Sequence, residues 1–193
     1  MLFTWILTRT TRAMGVTLGL LIGLPSSASA QFTAPDPFPG YERECGYPIV
    51  LRTTLALSEA IIDFRGRLKI VLDPVLTANG EQDRMQFLLA HECAHHQMNH
   101  ALPVSRRARA QSHGVVRDQE LSADCWAAEL LARLGHERPI LIMTQRFHRA
   151  GLYSPGGGYP AGIQRASIIQ QCAENGRRAL LDVGQDQGSL DRN

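Results

Sequence analysis

The chain has 193 residues, 44% of them hydrophobic and 20% charged, with a formal net charge of +2 at pH 7. That near-neutral balance gives no electrostatic footprint for nucleic acid or for an anionic membrane surface. The 163 residues left after residues 1–30 suit one soluble domain around a single core, and no internal repeat is present.

The N-terminus reads as an export signal. Arg9 and Arg12 precede an uncharged apolar run, Ala13 to Leu24, followed by Pro25 and a small-residue stretch ending Ala28-Ser29-Ala30. A positive n-region, a short h-region and an A-x-A site predict cleavage after Ala30, before Gln31, and a periplasmic or secreted mature chain. The 12-residue run falls short of the ~20 residues that a membrane-spanning helix needs, which weighs against an uncleaved anchor. No Cys follows the h-region, so a lipid anchor is not suggested. No later segment is long and apolar enough to span a membrane.

Residues 31–46 are Pro-rich and predicted irregular. Pro48 to Thr53 has strand character. Ala60-Ile61-Ile62-Asp63-Phe64 and Leu68-Lys69-Ile70-Val71-Leu72 flank Arg65-Gly66-Arg67, which predicts a hairpin ended by Asp73-Pro74. Helices follow at about 81–101, 114–134 and 139–150, with Gly135 ending the second and Pro139 in the first turn of the third. The Gly- and Tyr-containing stretch 151–160 reads as a loop, either a plain connector or a substrate-flanking segment. A helix from about 162 to 175 comes next, and residues 177–193 are a polar tail predicted to be disordered.

The first of these helices carries His91-Glu92-Cys93-Ala94-His95. Histidines four apart lie about 40° from each other around an α-helix, so both imidazoles can reach one metal ion. Glu92 lies about 100° from His91, placed to act on a metal-bound water without ligating the metal. The composition, with 7 His, predicts roughly 0.01 such matches per chain by chance. A third ligand is required. Met98 and Ala101 stand where the metzincin pattern needs Gly and His, which excludes that branch. Gln119-Glu120-Leu121-Ser122-Ala123-Asp124 offers a glutamate on the following helix instead, with Asp124 one turn on, placed to accept a hydrogen bond from a ligand imidazole.

His91-Glu92-x-x-His95 followed by Glu120-x-x-Ala123-Asp124 resembles the gluzincin metallopeptidases of the HtpX and CAAX-prenyl-endopeptidase type, over roughly residues 47–175. The resemblance implies an α+β, zincin-like fold, mainly helical, with a small antiparallel sheet or hairpin before the motif helix. It implies Zn²⁺ on His91, His95 and Glu120, Glu92 as general base, and Asp124 as a carboxylate behind the ligands. A later family feature, His-Pro followed by Arg, has a counterpart in Tyr159-Pro160 and Arg165. Tyr159 stands where His is usual, and Tyr159 or Arg165 can assist a developing oxyanion. In zincins the strand just before the motif helix often forms the edge that a peptide substrate extends. The function so implied is a zinc metalloendopeptidase acting on peptide or protein substrates; the near-neutral charge predicts no nucleic-acid partner, and the lack of a spanning segment predicts no stable membrane insertion, which separates the chain from the integral-membrane members of that family. The alternative is a zinc-binding accessory protein that keeps the fold and binds partners without cutting them; the intact Glu92 argues against it.

Four cysteines, Cys45, Cys93, Cys125 and Cys172, in an exported chain favour disulfides, with three possible connectivities. Cys93 lies about 200° round the helix from His91 and faces away from a metal. Cys45 and Cys172 lie near the ends of the folded region, where a bridge would tie the ends together. His96 and His100 fall off the His91/His95 face of an ideal helix, which predicts surface or packing roles. The basic cluster Arg106-Arg107-Ala108-Arg109 reads as a solvated loop between the motif helices, and Trp126 as core.

Overall fold

The predicted hairpin forms where the turn chemistry requires it. Asp63 accepts the backbone N–H of Arg65 and of Arg67 on Oδ1, at 2.9 and 3.0 Å, and Gly66 takes the left-handed conformation (φ +76°) that closes the turn. The structure, a computed structural model, describes residues 37–77, 81–101 and 113–190. The expected export signal at 1–30 and the basic cluster at 106–109 lie outside those residues.

Strands β2 (Ser58–Ile62) and β3 (Leu68–Leu72) pair antiparallel, and β1 (Ile49–Leu51) pairs parallel with β3, giving the order β1-β3-β2. The sheet is therefore mixed, not purely antiparallel as expected. The reason is local: a left-handed turn at Leu57 (φ 57°) starts β2, and the hairpin then brings β3 back between its two predecessors. A second correction follows. The strand preceding the motif helix, β3, is central with both edges paired, so the outer strands are β1 and β2, and β2 is the one that reaches Glu92.

Among the described residues, four long helices complete the α+β architecture: α2 (Gln82–Gln97), α3 (His113–Arg133), α4 (Glu137–Ala150) and α5 (Gly162–Leu190), after a single helical turn, α1 (Tyr41–Glu44). Three boundaries match the expected ones within a few residues. The fourth does not, because α5 continues to Leu190 through the segment expected to be a disordered tail. Residues 37–46 contain more order than the prolines of this region suggest, since Phe38 and Tyr41 are buried and their rings meet edge to face at 5.5 Å.

Helix α2 is buried nearly all round, with Phe87, Leu89, Ala90, Cys93 and Ala94 fully inaccessible, which makes it the central element rather than a surface helix. Ile70, Leu72, Leu76, Leu130, Leu131 and Ile169 belong to the same buried core cluster. Trp126 packs against this core. Within the described residues, no helix is long and apolar enough to cross a membrane.

The cysteines pair as Cys45–Cys93 and Cys125–Cys172, so the end-to-end Cys45–Cys172 bridge is not formed. Cα–Cα separations of 5.8 and 5.2 Å are ordinary disulfide spans. Each bridge fastens one motif helix to a neighbour, α2 to α1 and α3 to α5. Two disulfides fit an oxidising compartment outside the cytosol.

Helices α3 and α5 approach so closely at Gly176 that a Cβ there would meet the Glu129 carbonyl oxygen and lie 2.9 Å from the Ala132 Cβ. An Ala in a helix interior is intrinsically favoured over Gly by about 1 kcal/mol, whereas overpacking a rigid core costs about 1–3 kcal/mol. The steric cost prevails because two of the opposing atoms are backbone. Gly176→Ala is expected to lower the unfolding free energy by about 1–2 kcal/mol, read as a lower urea midpoint at unchanged slope.

Candidate metal centre

Every residue singled out for metal chemistry is placed by a helix and brought to one spot. His91 and His95 project from the same face of α2, and α3 crosses so that Glu120 faces both. His91 Nε2 lies 3.4 Å from Glu120 Oε2, His95 Nε2 lies 3.5 Å from Glu120 Oε1, and the two Nε2 atoms are 3.1 Å apart. One ligand atom from each of the three lies within 4.8 Å of the others, a group that could hold a metal ion. Two imidazoles and one carboxylate are donors suited to Zn²⁺ and other borderline divalent ions.

Asp124 sits one helical turn beyond Glu120 and is completely buried. Its Oδ1 lies 2.9 Å from His91 Nδ1, a short but bent contact on the side of the ring away from the metal group. Its other partner is Arg165 of α5, whose Nε and Nη2 donate to Oδ2 and Oδ1 at 2.6 and 2.8 Å. That fork-to-carboxylate pair is the geometry in which Arg binds most strongly. Arg165 also approaches Glu120 Oε2 at 3.7 Å and lies over the Phe147 ring at 4.2 Å. The guanidinium expected to assist an oxyanion is thus committed to carboxylates.

Glu92 is buried and points toward the sheet. Ser58 Oγ donates to its Oε1 and the Ala60 N–H donates to its Oε2, both at 2.7 Å. Neither donor was visible from spacing, since they come from β2, 34 and 32 residues upstream. Tyr159 lies on the loop before α5, 43% exposed, among the charges of Glu120, Glu92, Arg165 and Glu59. Burial and the nearby carboxylates raise its phenol pKa, so its hydroxyl keeps its proton and remains a donor.

Electrostatics tie the group together. Burial alone would strip the proton from His91, but Asp124 and Glu120 outweigh it and push the imidazole pKa up to about 10. Burial would likewise raise both carboxyls. For Glu120 the two histidines reverse this, and for Asp124 Arg165 and His91 do, so both are held below the usual carboxylate range. His96 proves to be a packing residue: it is buried, its Nε2 donates to the Lys69 carbonyl at 2.9 Å, and its ring packs on Tyr47. His100 does not stay on the surface, because its Nδ1 lies 3.1 Å from His95 Nδ1.

Cys93 faces away from this group and Cys125 is bridged to α5, so neither thiol is a ligand. Comparison with protein-family models, with curated proteins and with solved structures returns no match.

Two measurements test the centre. Glu120→Ala is expected to abolish tight Zn²⁺ binding and to lower the melting temperature of the zinc-loaded protein, because a cation there ties α2 to α3 and its binding energy is partly folding energy. Asp124→Asn is expected to weaken binding by about 10–100-fold without abolishing it. Equal zinc content in Glu120→Ala and wild type contradicts the assignment, and complete loss in Asp124→Asn alone makes Asp124 the direct ligand. The second test is pH. A cation entering the group must displace the proton that His91 holds to about 10, so apparent affinity rises with pH below that value, by up to about tenfold per unit. Isothermal titration in buffers of different ionisation enthalpy should show about one proton released from His91 per cation at neutral pH.

Proposed function

We propose that this chain is a zinc-dependent metallopeptidase of the gluzincin type, resembling the HtpX and CAAX-prenyl-endopeptidase family, that hydrolyses peptide bonds in an exported compartment. The observation that carries the reading is the convergence of His91, His95 and Glu120 from two crossing helices with Glu92 adjacent on the same helix. In this role Zn²⁺, when bound, supplies a Lewis acid that polarises the scissile carbonyl and acidifies water.

The chain's own groups supply the rest. Glu92, fixed by Ser58 and Ala60, takes the proton of the attacking water and returns it to the leaving amine. Each of its oxygens accepts one hydrogen bond and keeps a second lone pair, so anchoring does not exhaust its capacity as a base. Tyr159, held protonated, donates to the oxyanion as charge develops there. Arg165 acts one step back, keeping Asp124 and Glu120 in place. Strand β2 is the sheet edge beside Glu92, and an extended peptide pairing with it is brought next to the metal group. The expected signal at 1–30 and the two disulfides support an exported setting.

Glu92→Gln discriminates this reading from a zinc-binding accessory protein. It is expected to keep zinc while losing at least the ~10²–10⁴-fold that a general base contributes, measured on a casein-type substrate with the purified chain. Undiminished turnover contradicts the mechanism. Tight zinc binding by a wild type that cleaves no peptide favours the accessory reading.

A further inference from the structure

We infer that His100 is a positioning residue for His95, fixing the imidazole tautomer that leaves Nε2 free for the metal; the inference rests on the reading of His95 as a ligand. The two ring nitrogens of His95 face different partners. Nε2 faces His91 Nε2 at 3.1 Å and Glu120 Oε1 at 3.5 Å, inside the group that could hold a cation. Among the described residues, Nδ1 has His100 Nδ1 as its partner at 3.1 Å, with the two rings tilted at 65° and their centroids 5.2 Å apart. A ligating Nε2 carries no proton, so the single proton of neutral His95 sits on Nδ1. His100 Nδ1 must then accept it, and His100 carries its own proton on Nε2.

The backbone is built to make this contact. On a continued helix, His100 would lie well away from the Nδ1 side of His95. Helix α2 instead ends at Gln97, and Asn99 turns left-handed (φ 60°), a conformation that Asn tolerates better than most residues. The turn is closed by Met98 N–H to Ala94 O, Asn99 N–H to His96 O and His100 N–H to His95 O, at 2.9, 3.1 and 2.8 Å. It folds the His100 ring back over His95 and leaves it half-buried.

The two ligand histidines are thereby oriented by different chemistry. His91 is backed by the Asp124 carboxylate, which is itself neutralised by Arg165. His95 is backed by a neutral acceptor that adds no charge. A second carboxylate at that position would have had no Arg165 of its own. With Glu120 and Asp124 already present, a neutral acceptor keeps the cluster from accumulating buried negative charge.

The test uses three variants of the full chain. His100→Asn keeps an acceptor near the place of Nδ1, His100→Phe keeps the ring volume without an acceptor, and His100→Ala removes both. Long-range ¹H–¹⁵N NMR of the histidine rings in zinc-free protein reads the His95 tautomer directly. Wild type and His100→Asn are expected to show the Nδ1–H form, and His100→Ala and His100→Phe a shift toward Nε2–H. Zinc affinity by chelator competition is expected to fall about 10–100-fold in His100→Ala and His100→Phe and to recover in His100→Asn. An unchanged His95 tautomer in both His100→Ala and His100→Phe overturns the inference. So does equal affinity in His100→Asn and His100→Phe, or a zinc-induced ¹⁵N shift on a His100 ring nitrogen that marks it as a direct ligand. The tautomer readout needs neither zinc nor turnover. Failure of the peptidase reading therefore shows as absent cleavage, separately from failure of the His100 role.

Discussion

A single buried carboxylate pins the site together. Asp124 is fully inaccessible, and it joins α3 to α5 through the Arg165 fork and to α2 through His91. Taking such a charge out of water is expensive, and removing one partner of a buried pair typically costs about 3–5 kcal/mol because the survivor is left uncompensated. The charge count shows why the cluster is poised for a cation. Glu92, Glu120 and Asp124 are three buried acidic groups against the single positive charge of Arg165, so the group carries an excess of negative charge that a proton on His91 only partly offsets. That imbalance is the physical origin of the raised His91 pKa. A divalent ion supplies the missing positive charge and relieves the imidazole of its role as counter-ion.

Covalent and steric constraints hold the pin in place. Cys93 is two residues beyond His91 and is bridged to Cys45 on the opposite side of α2, while Cys125 directly follows Asp124 and is bridged to Cys172 of α5. Each bridge closes a loop of nearly fifty residues, with separations of 48 and 47, and by the chain-entropy argument loops of that size give some of the larger stabilisations a disulfide offers, about 4 kcal/mol. The Gly176 contact draws α5 against α3 to near backbone-to-backbone distance. A site gathered from three helices holds its geometry only if those helices cannot slide; the Cys125–Cys172 bridge and the Gly176 contact both lock α3 to α5, and Cys45–Cys93 fastens α2 from its other side.

How much of this was legible in the sequence follows from whether the relevant spacing was local. The His91/His95 and Glu120/Asp124 pairs could be read because helix periodicity puts i and i+4 on one face, and the hairpin because Asp63 and Gly66 encode its turn. Contacts between distant elements were not. Ser58 and Ala60 hold Glu92 across more than thirty residues, and nothing in Ser58-Glu59-Ala60 announces it. Strand β1 is three residues long, too short to carry a pattern that distinguishes parallel from antiparallel pairing. The disulfide partners depend on helix packing that composition does not reveal. His100 was misplaced for a sharper reason: an ideal helical wheel was extended past the point where Asn99 leaves the helix.

The three acidic residues at the centre share a buried setting and differ in what holds them. Asp124 faces a guanidinium and an imidazole, and Glu120 faces two imidazoles with Arg165 nearby. Both are bound to positive or metal-binding groups and are committed to holding the structure. Glu92 is held by a hydroxyl and an amide N–H, partners that orient a carboxylate without neutralising it. Had an arginine taken the place of Ser58, the same carboxylate would be anchored as firmly, but as half of an ion pair that proton transfer would have to break. Neutral donors avoid that conflict. The anchor also comes from β2, one of the two outer strands of the sheet, so in the proposed peptidase the base would be positioned by the same strand that carries Ser58 and Ala60.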